Sequence, residues 1–205
     1  MRRLLVLLAC LGLAAPAVAA SGSFSLPATV SRWGQDSTVV ALRMRTDSTT
    51  DPITAYVATI DYDGDFARFV SVENGADAPT WEILAVNDNG HYEGCRPTPP
   101  TRRVTVVAAI PITNPWDCTP GIFDGEALRF LFSVSGCGTT PLVLRPECEA
   151  PGLTHPNHVA TCDGLTLAPF MGNLELFDGS ITRAECATDV AAPAVDWGRV
   201  KGLYR

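Results

Sequence analysis

Residues 53–75 constrain the fold of this chain more than any other stretch. In Thr54-Ala55-Tyr56-Val57-Ala58-Thr59-Ile60-Asp61-Tyr62 the bulkier apolar side chains Tyr56, Ile60 and Tyr62, with Ala58, recur at every second position. That period is the pleat of a half-buried β-strand, so these four face a core while Ala55, Val57, Thr59 and Asp61 face outward. Asp63-Gly64-Asp65 supplies the residues of a tight turn. A second run over 66–72 sets Phe66, Arg68, Val70 and Val72 against Ala67, Phe69 and Ser71, and it closes at Asn74-Gly75.

Similar runs fill the rest of the chain. Residues 38–45 alternate Val40, Leu42 and Met44 against arginines; 81–86 are a short strand; 104–110 are β-branched and apolar enough for a central one. Residues 123–134 read as a long late strand, 138–144 as a short strand after it, and 178–182 as the closing one. No segment before residue 184 combines helical periodicity with caps. Short strands with turn signals at this spacing predict an all-β chain folded as a single β-sandwich or jelly roll of about nine strands over 21–183. The longest irregular stretch is 145–170, read as a functional loop or a disulfide-held insertion.

The block aromatic-x-x-x-Ile-x-Tyr-Asp followed by Phe-Val-Ser-Val-x-x-Gly resembles the central strand pair of the cohesin domain, and the segments at 123–134, 138–144 and 178–182 come next in that family's order. The resemblance implies a non-catalytic module that captures a partner, an exported protein that is dockerin-like or of another kind. It also implies that the contact lies on the outward strand face, at Ala55, Val57, Thr59, Asp61 and, at the bend, Asp63. Ala55 and Val57 stand where the family tends to place hydrogen-bonding side chains, which counts against orthodox dockerin recognition. The same sandwich is shared with carbohydrate-binding modules. The alternative partner is therefore a polysaccharide stacked on Trp33, Trp81, Tyr92 and Trp116. A hydrolase on the same scaffold ranks last.

Met1-Arg2-Arg3, the apolar run 4–13 and Ala17-Val18-Ala19-Ala20 have the charged start, short apolar middle and small-residue exit of a signal peptide over 1–20. The run is too short to span a bilayer. Processing at Cys10 as a lipoprotein ranks below cleavage after Ala19 or Ala20. The product is then secreted: extracellular, periplasmic or held at the cell surface. Losing the leader removes two arginines and no acid, taking the formal charge from −7 to −9, which argues against nucleic acid or an anionic membrane as partner. Six of the seven cysteines remain, an even set in an oxidising compartment. Loop proximity suggests Cys95–Cys118 and Cys148–Cys162, leaving Cys137 and Cys186 for each other. Residues 184–205 read as a linker and tail. Trp197, Val200 and Tyr204 resemble a Trp-Gly-x-Val-Lys ending of exported bacterial proteins, a candidate sorting or docking tag.

Metal and catalytic readings are weaker. Asp61, Asp63 and Asp65 offer alternate carboxylates to calcium, but Phe66 and Val72 stand where an EF-hand needs Gly and Glu. Cys148, His155, His158 and Cys162 could hold zinc, although export favours a disulfide. With His91 as the remaining histidine and no Gly-x-Ser-x-Gly elbow, no catalytic set emerges and the chain is not read as an enzyme.

Overall fold

The computed structural model describes residues 21–32, 35–47, 53–78, 81–88, 102–110, 123–144, 157–162 and 166–183. Among them are thirteen strands: β1 (Gly22–Ser25), β2 (Ala28–Ser31), β3 (Ser37–Thr46), β4 (Ile53–Tyr62), β5 (Ala67–Asn74), β6 (Glu82–Asn87), β7 (Arg102–Ala109), β8 (Asp124–Val134), β9 (Gly138–Val143), β10 (His158–Thr161), β11 (Thr166–Leu167), β12 (Leu174–Phe177) and β13 (Gly179–Arg183). A single 3₁₀ turn, Pro169–Met171, accompanies them. The smaller sheet runs β12-β1-β3-β8-β5; the larger runs β11-β10-β4-β9-β13-β2, with β7 on the other edge of β4 and β6 beyond it.

The inward set of β4 is the predicted one. Tyr56, Ala58, Ile60 and Tyr62 are each fully buried. They meet Val40, Leu42 and Met44 of β3 and Leu128, Phe130 and Phe132 of β8 in one core. The two tyrosines span the sandwich. Tyr62 packs edge-on against Phe132 with centroids 5.2 Å apart, Tyr56 against Phe24 at 6.1 Å, and the Tyr56 hydroxyl donates to the Ala127 carbonyl at 3.3 Å. A buried phenol needs such a partner, so the sheets are registered as well as glued.

The second strand departs from strict alternation. The β5–β8 register shifts between Phe69 and Ser71, a bulge that leaves Val70 53% exposed and turns Phe69 and Val72 both toward the core. Gly75 then lets β5 end against β8: a Cβ there would sit 2.0 Å from the Glu126 carbonyl oxygen, and the Gly75 N–H donates to Ala127 O at 2.9 Å.

Five strands, β1, β2, β10, β11 and β12, fall outside the sequence reading. β1 pairs parallel with β12, and β2 with β13. The chain segments β1–β2 and β12–β13 each pass from one sheet to the other, at 26–27 and at Asp178, and they cross together: Leu26 N–H donates to Phe177 O at 3.0 Å, Ser180 N–H to Pro27 O at 3.3 Å. Gly179 permits the approach, since a Cβ there would be 2.6 Å from both Leu26 Cβ and Pro27 O. The stretch 145–170 is not irregular throughout. It contains β10 and β11, with β10 laid antiparallel along β4. The expected count of about nine strands is thus exceeded because strands of two to four residues carry too little alternation to be read.

Candidate functional site

β4 is the centre of the larger sheet. It pairs with β7 on one edge from Ala55 to Tyr62. On the other edge its partner changes, from β10 opposite residues 53–57 to β9 opposite Asp61 and Tyr62. A strand edge left open at that change would strand backbone groups in the interior. Asn157 closes it. Its side chain is fully buried, its Oδ1 accepts the Thr59 N–H at 2.8 Å, and its Nδ2 donates to Thr59 O at 3.3 Å and also to Leu144 O. One side-chain amide therefore stands in for a missing residue of the ladder. Sequence reasoning missed it, because Asn beside Pro and two histidines reads as turn chemistry.

The register assembles the outward residues into rows. Ala160, Ala55, Ala109 and Glu82 form one; His158, Val57, Val107 and Ala85 the next; then Thr59, Thr105 and Asn87; then Asp61 and Arg103. Thr59 and Thr105 join hydroxyls at 3.0 Å. Arg103 grips Asp61 with both prongs, Nε to Oδ1 at 2.6 Å and a terminal nitrogen to Oδ2 at 2.9 Å, each side chain only 13% exposed. Ala55, Val57, Thr59 and Asp61 thus share one outward surface as predicted. That surface is half-buried rather than open, and Thr59 is buried outright. His158, read as a candidate zinc ligand, stands on this face opposite Val57.

The surface turns at its edge into β6, whose one pairing is with β7. A register shift at Leu84 leaves Leu84 59% and Val86 44% exposed. Below it the Tyr62 hydroxyl donates to Asp88 at 2.9 Å, and burial together with that carboxylate pushes the phenol up to about 12. Tyr56, more deeply buried, is raised further by desolvation.

The other expected sites fare differently. Asp61 is committed to Arg103, and Asp63 Oδ1 accepts the Asp65 N–H at 3.0 Å, the local bond of an Asx turn. Among the described residues no three metal-ligating side chains converge. Trp81, offered for sugar stacking, is a core residue: it is 6% exposed, with its ring 4.9 Å from Tyr56 and 5.9 Å from Phe123. Being large and apolar at the start of β6, it is driven under the edge of the sheet instead of onto its surface. Trp33, Tyr92 and Trp116 lie outside the described residues, as do residues 1–20, read as a leader, and residues 184–205, read as a tail. Cys137 and Cys162 each take part in a disulfide. Every pairing expected from the sequence includes a cysteine outside the described residues, and Cys148 and His155 of the zinc reading are outside them too.

No family model matches the chain, and no curated protein matches it. Solved structures do. The sixth cohesin from scaffoldin B of Acetivibrio cellulolyticus, solved in complex with a Cel5 dockerin, superposes with a TM-score of 0.54 at 12% identity over 80% of this chain and 99% of that one. The seventh ScaB type I cohesin from Pseudobacteroides cellulosolvens gives 0.53 at 15% identity over 82% and 96%. A non-cellulosomal cohesin from the archaeon Archaeoglobus fulgidus gives 0.51 at 13% identity over 83% and 96%. At these identities the likeness is one of fold: the described strands form a cohesin-like β-sandwich.

Proposed function

We propose that this chain is an exported, non-catalytic binding module that captures another exported protein on the outer face of its larger sheet. The observation that carries the reading is the chemistry of that face. Its half-buried centre is Ala55, Val57 and Val107, short and neutral, Asp61 and Arg103 neutralise one another, and the charged Glu82 stands exposed at the edge. Protein interfaces are depleted in unpaired charge at their core and polar at the rim, as here. The fold supports the same reading, since the similar structures are cohesins and one of those named was solved with a dockerin bound. The short side chains at 55 and 57 favour a partner that brings its own bulk and hydrogen-bonding groups, of dockerin size but not of orthodox dockerin contacts.

The test is capture by immobilised residues 21–205 from the exported proteins and wall polysaccharides of the source organism, alongside a panel of dockerin modules. A protein partner whose retention falls at least about tenfold in Val57→Asp, and is unchanged in Val39→Asp on the opposite sheet, is the expected result. Placing an unpaired carboxylate in an interface core exceeds the roughly 1.4 kcal/mol that a tenfold change requires. Retention of polysaccharide alone, insensitive to Val57→Asp, would sink the reading in favour of a carbohydrate-binding module.

A further inference from the structure

The small-residue run Ala17-Val18-Ala19-Ala20 is followed directly by Ser21. From Gly22 onward the backbone is locked between two strands, with Gly22 opposite both Thr46 and Leu174 and its N–H donating to Asn173 O at 2.9 Å. Ser21 itself is held by Asp47. The Ser21 backbone nitrogen lies 3.1 Å from Asp47 Oδ2, the Ser21 hydroxyl 2.6 Å from the same oxygen, and the Asp47 N–H donates back to Ser21 O at 3.0 Å. These groups border an open polar cleft of about 260 Å³ that also presents Arg45, Asn173 and Glu175.

We propose that the leader is cut between Ala20 and Ser21, and that the α-ammonium so created is bound by the Asp47 carboxylate as part of the mature fold. Hydrolysis adds the hydroxyl of water to the Ala20 carbonyl carbon and its proton to the Ser21 nitrogen, which takes a further proton from solvent at neutral pH. The nitrogen that donated one neutral hydrogen bond then carries a full charge beside a carboxylate, a stronger contact with no rearrangement. Ala17-Val18-Ala19 equally permits a cut after Ala19, but the charge would then sit on residue 20 and leave Ser21 a plain amide. The cut after Ala20 is the one that turns the Ser21–Asp47 hydrogen bond into an ion pair. Of the charged groups around the new terminus, Asp47 and Glu175 attract it and Arg45 opposes it, Arg45 being drawn aside toward Asp124 at 4.0 Å.

The experiment is export of the full chain, sequencing of the mature N-terminus, and pH-dependent labelling of its α-amine in wild type and Asp47→Asn. The expected product begins at Ser21. Near neutral pH its amine should react about two- to fivefold more slowly than in Asp47→Asn, the range of an exposed ion pair acting on an α-amino group that ordinarily titrates near 8. Near-ultraviolet circular dichroism of the variant keeps a folding defect from imitating this result. A mature chain that begins at Ala20 or elsewhere overturns the proposal. So does a Ser21 amine whose reactivity is the same in a folded Asp47→Asn protein.

Discussion

The two sheets bury similar faces and expose unlike ones. On the smaller sheet the outward rows set Arg45 against Asp124, Arg43 against Glu126, and Ala41 and Glu73 on either side of Arg129, with Val39 and Val70 about half exposed among them. Two of its ion pairs are loose, Asp124 lying 3.9 Å from Arg43 and 4.0 Å from Arg45 with all three side chains more than half exposed, while a third, Arg129 with Glu126 along β8, is close and 41% and 20% exposed. On the larger sheet the outward rows around β4 are mostly alanine, valine and threonine, with His158, Asn87 and Glu82 toward the edges, and the ion pair among them, Arg103 with Asp61, is bidentate, short and 13% exposed on both sides. Long charged side chains keep one face in water. The other has exchanged that solvation for fitted contacts, and the proposal that this face binds a protein rests on that difference.

If that contrast is right, damage to the larger sheet is costly and damage to the smaller one is not. The largest effect is expected at Asn157. Replacing it with Ala leaves the Thr59 N–H, the Thr59 carbonyl and the Leu144 carbonyl without their buried partner. At about 1–3 kcal/mol for each unpaired buried group, partly relieved by relaxation, the loss should reach about 3–5 kcal/mol. Urea unfolding followed by tryptophan fluorescence measures it. A loss below about 1 kcal/mol would mean that water takes the place of the amide and that the β4 edge is wet, which would erase the contrast.

Next in size is the ion pair. Arg103→Met strands Asp61 in a nearly dry position, and a loss of about 2–3 kcal/mol is expected, below the full cost for a buried pair because some solvent reaches both groups. Adding Asp61→Asn should recover part of it, since the penalty comes from the unpaired charge. Additivity of the two substitutions would show that the pair is not coupled and that the face is more solvated than its exposure indicates.

A subtler check concerns the core that both faces share. The Tyr62 phenol is raised to about 12 by burial and by Asp88, against about 10 in the unfolded chain. A group whose folded value is raised contributes stability in full below the unfolded value, and that contribution is lost as pH climbs to the folded one. Stability should therefore decline between about pH 10 and about pH 12, with a shallower slope in Tyr62→Phe. An unchanged slope would place this phenol in water and detach Asp88 from the site.

How much of each element could be read in advance depends on its length and on where its partners lie. The inward set of β4 was legible because ten residues of strict alternation leave one consistent face, and β8 was legible as a strand because it is long and rich in aromatic and aliphatic residues. β5 was half legible: its bulge at Val70 adds one residue and reverses the face, so simple alternation mislabels the residues beyond the bulge. β1, β2 and β12 were invisible because four residues give little pattern and their parallel partners lie more than a hundred residues away. The outward positions 55, 57, 59 and 61 could be named, but not their neighbours His158, Val107 and Arg103, since strand order fixes those and no local signal encodes it. Trp81 was misassigned because an aromatic at a strand start has no periodicity to say which side of the sheet it joins.

The smallest expected effect is the one that most sharpens the contrast. Arg43→Met removes a guanidinium 3.9 Å from Asp124 on the exposed face, where two long side chains must be ordered for a weak contact screened by salt. Stability should change by no more than about 0.5 kcal/mol, and the change should shrink further at high ionic strength. The matched substitution at Arg103 is expected to cost several times as much and to depend far less on salt, because solvent hardly reaches that pair. Were the two losses equal, the faces would not differ in solvation, and the outer surface of the larger sheet would have no stronger claim to a partner than the charged surface opposite it.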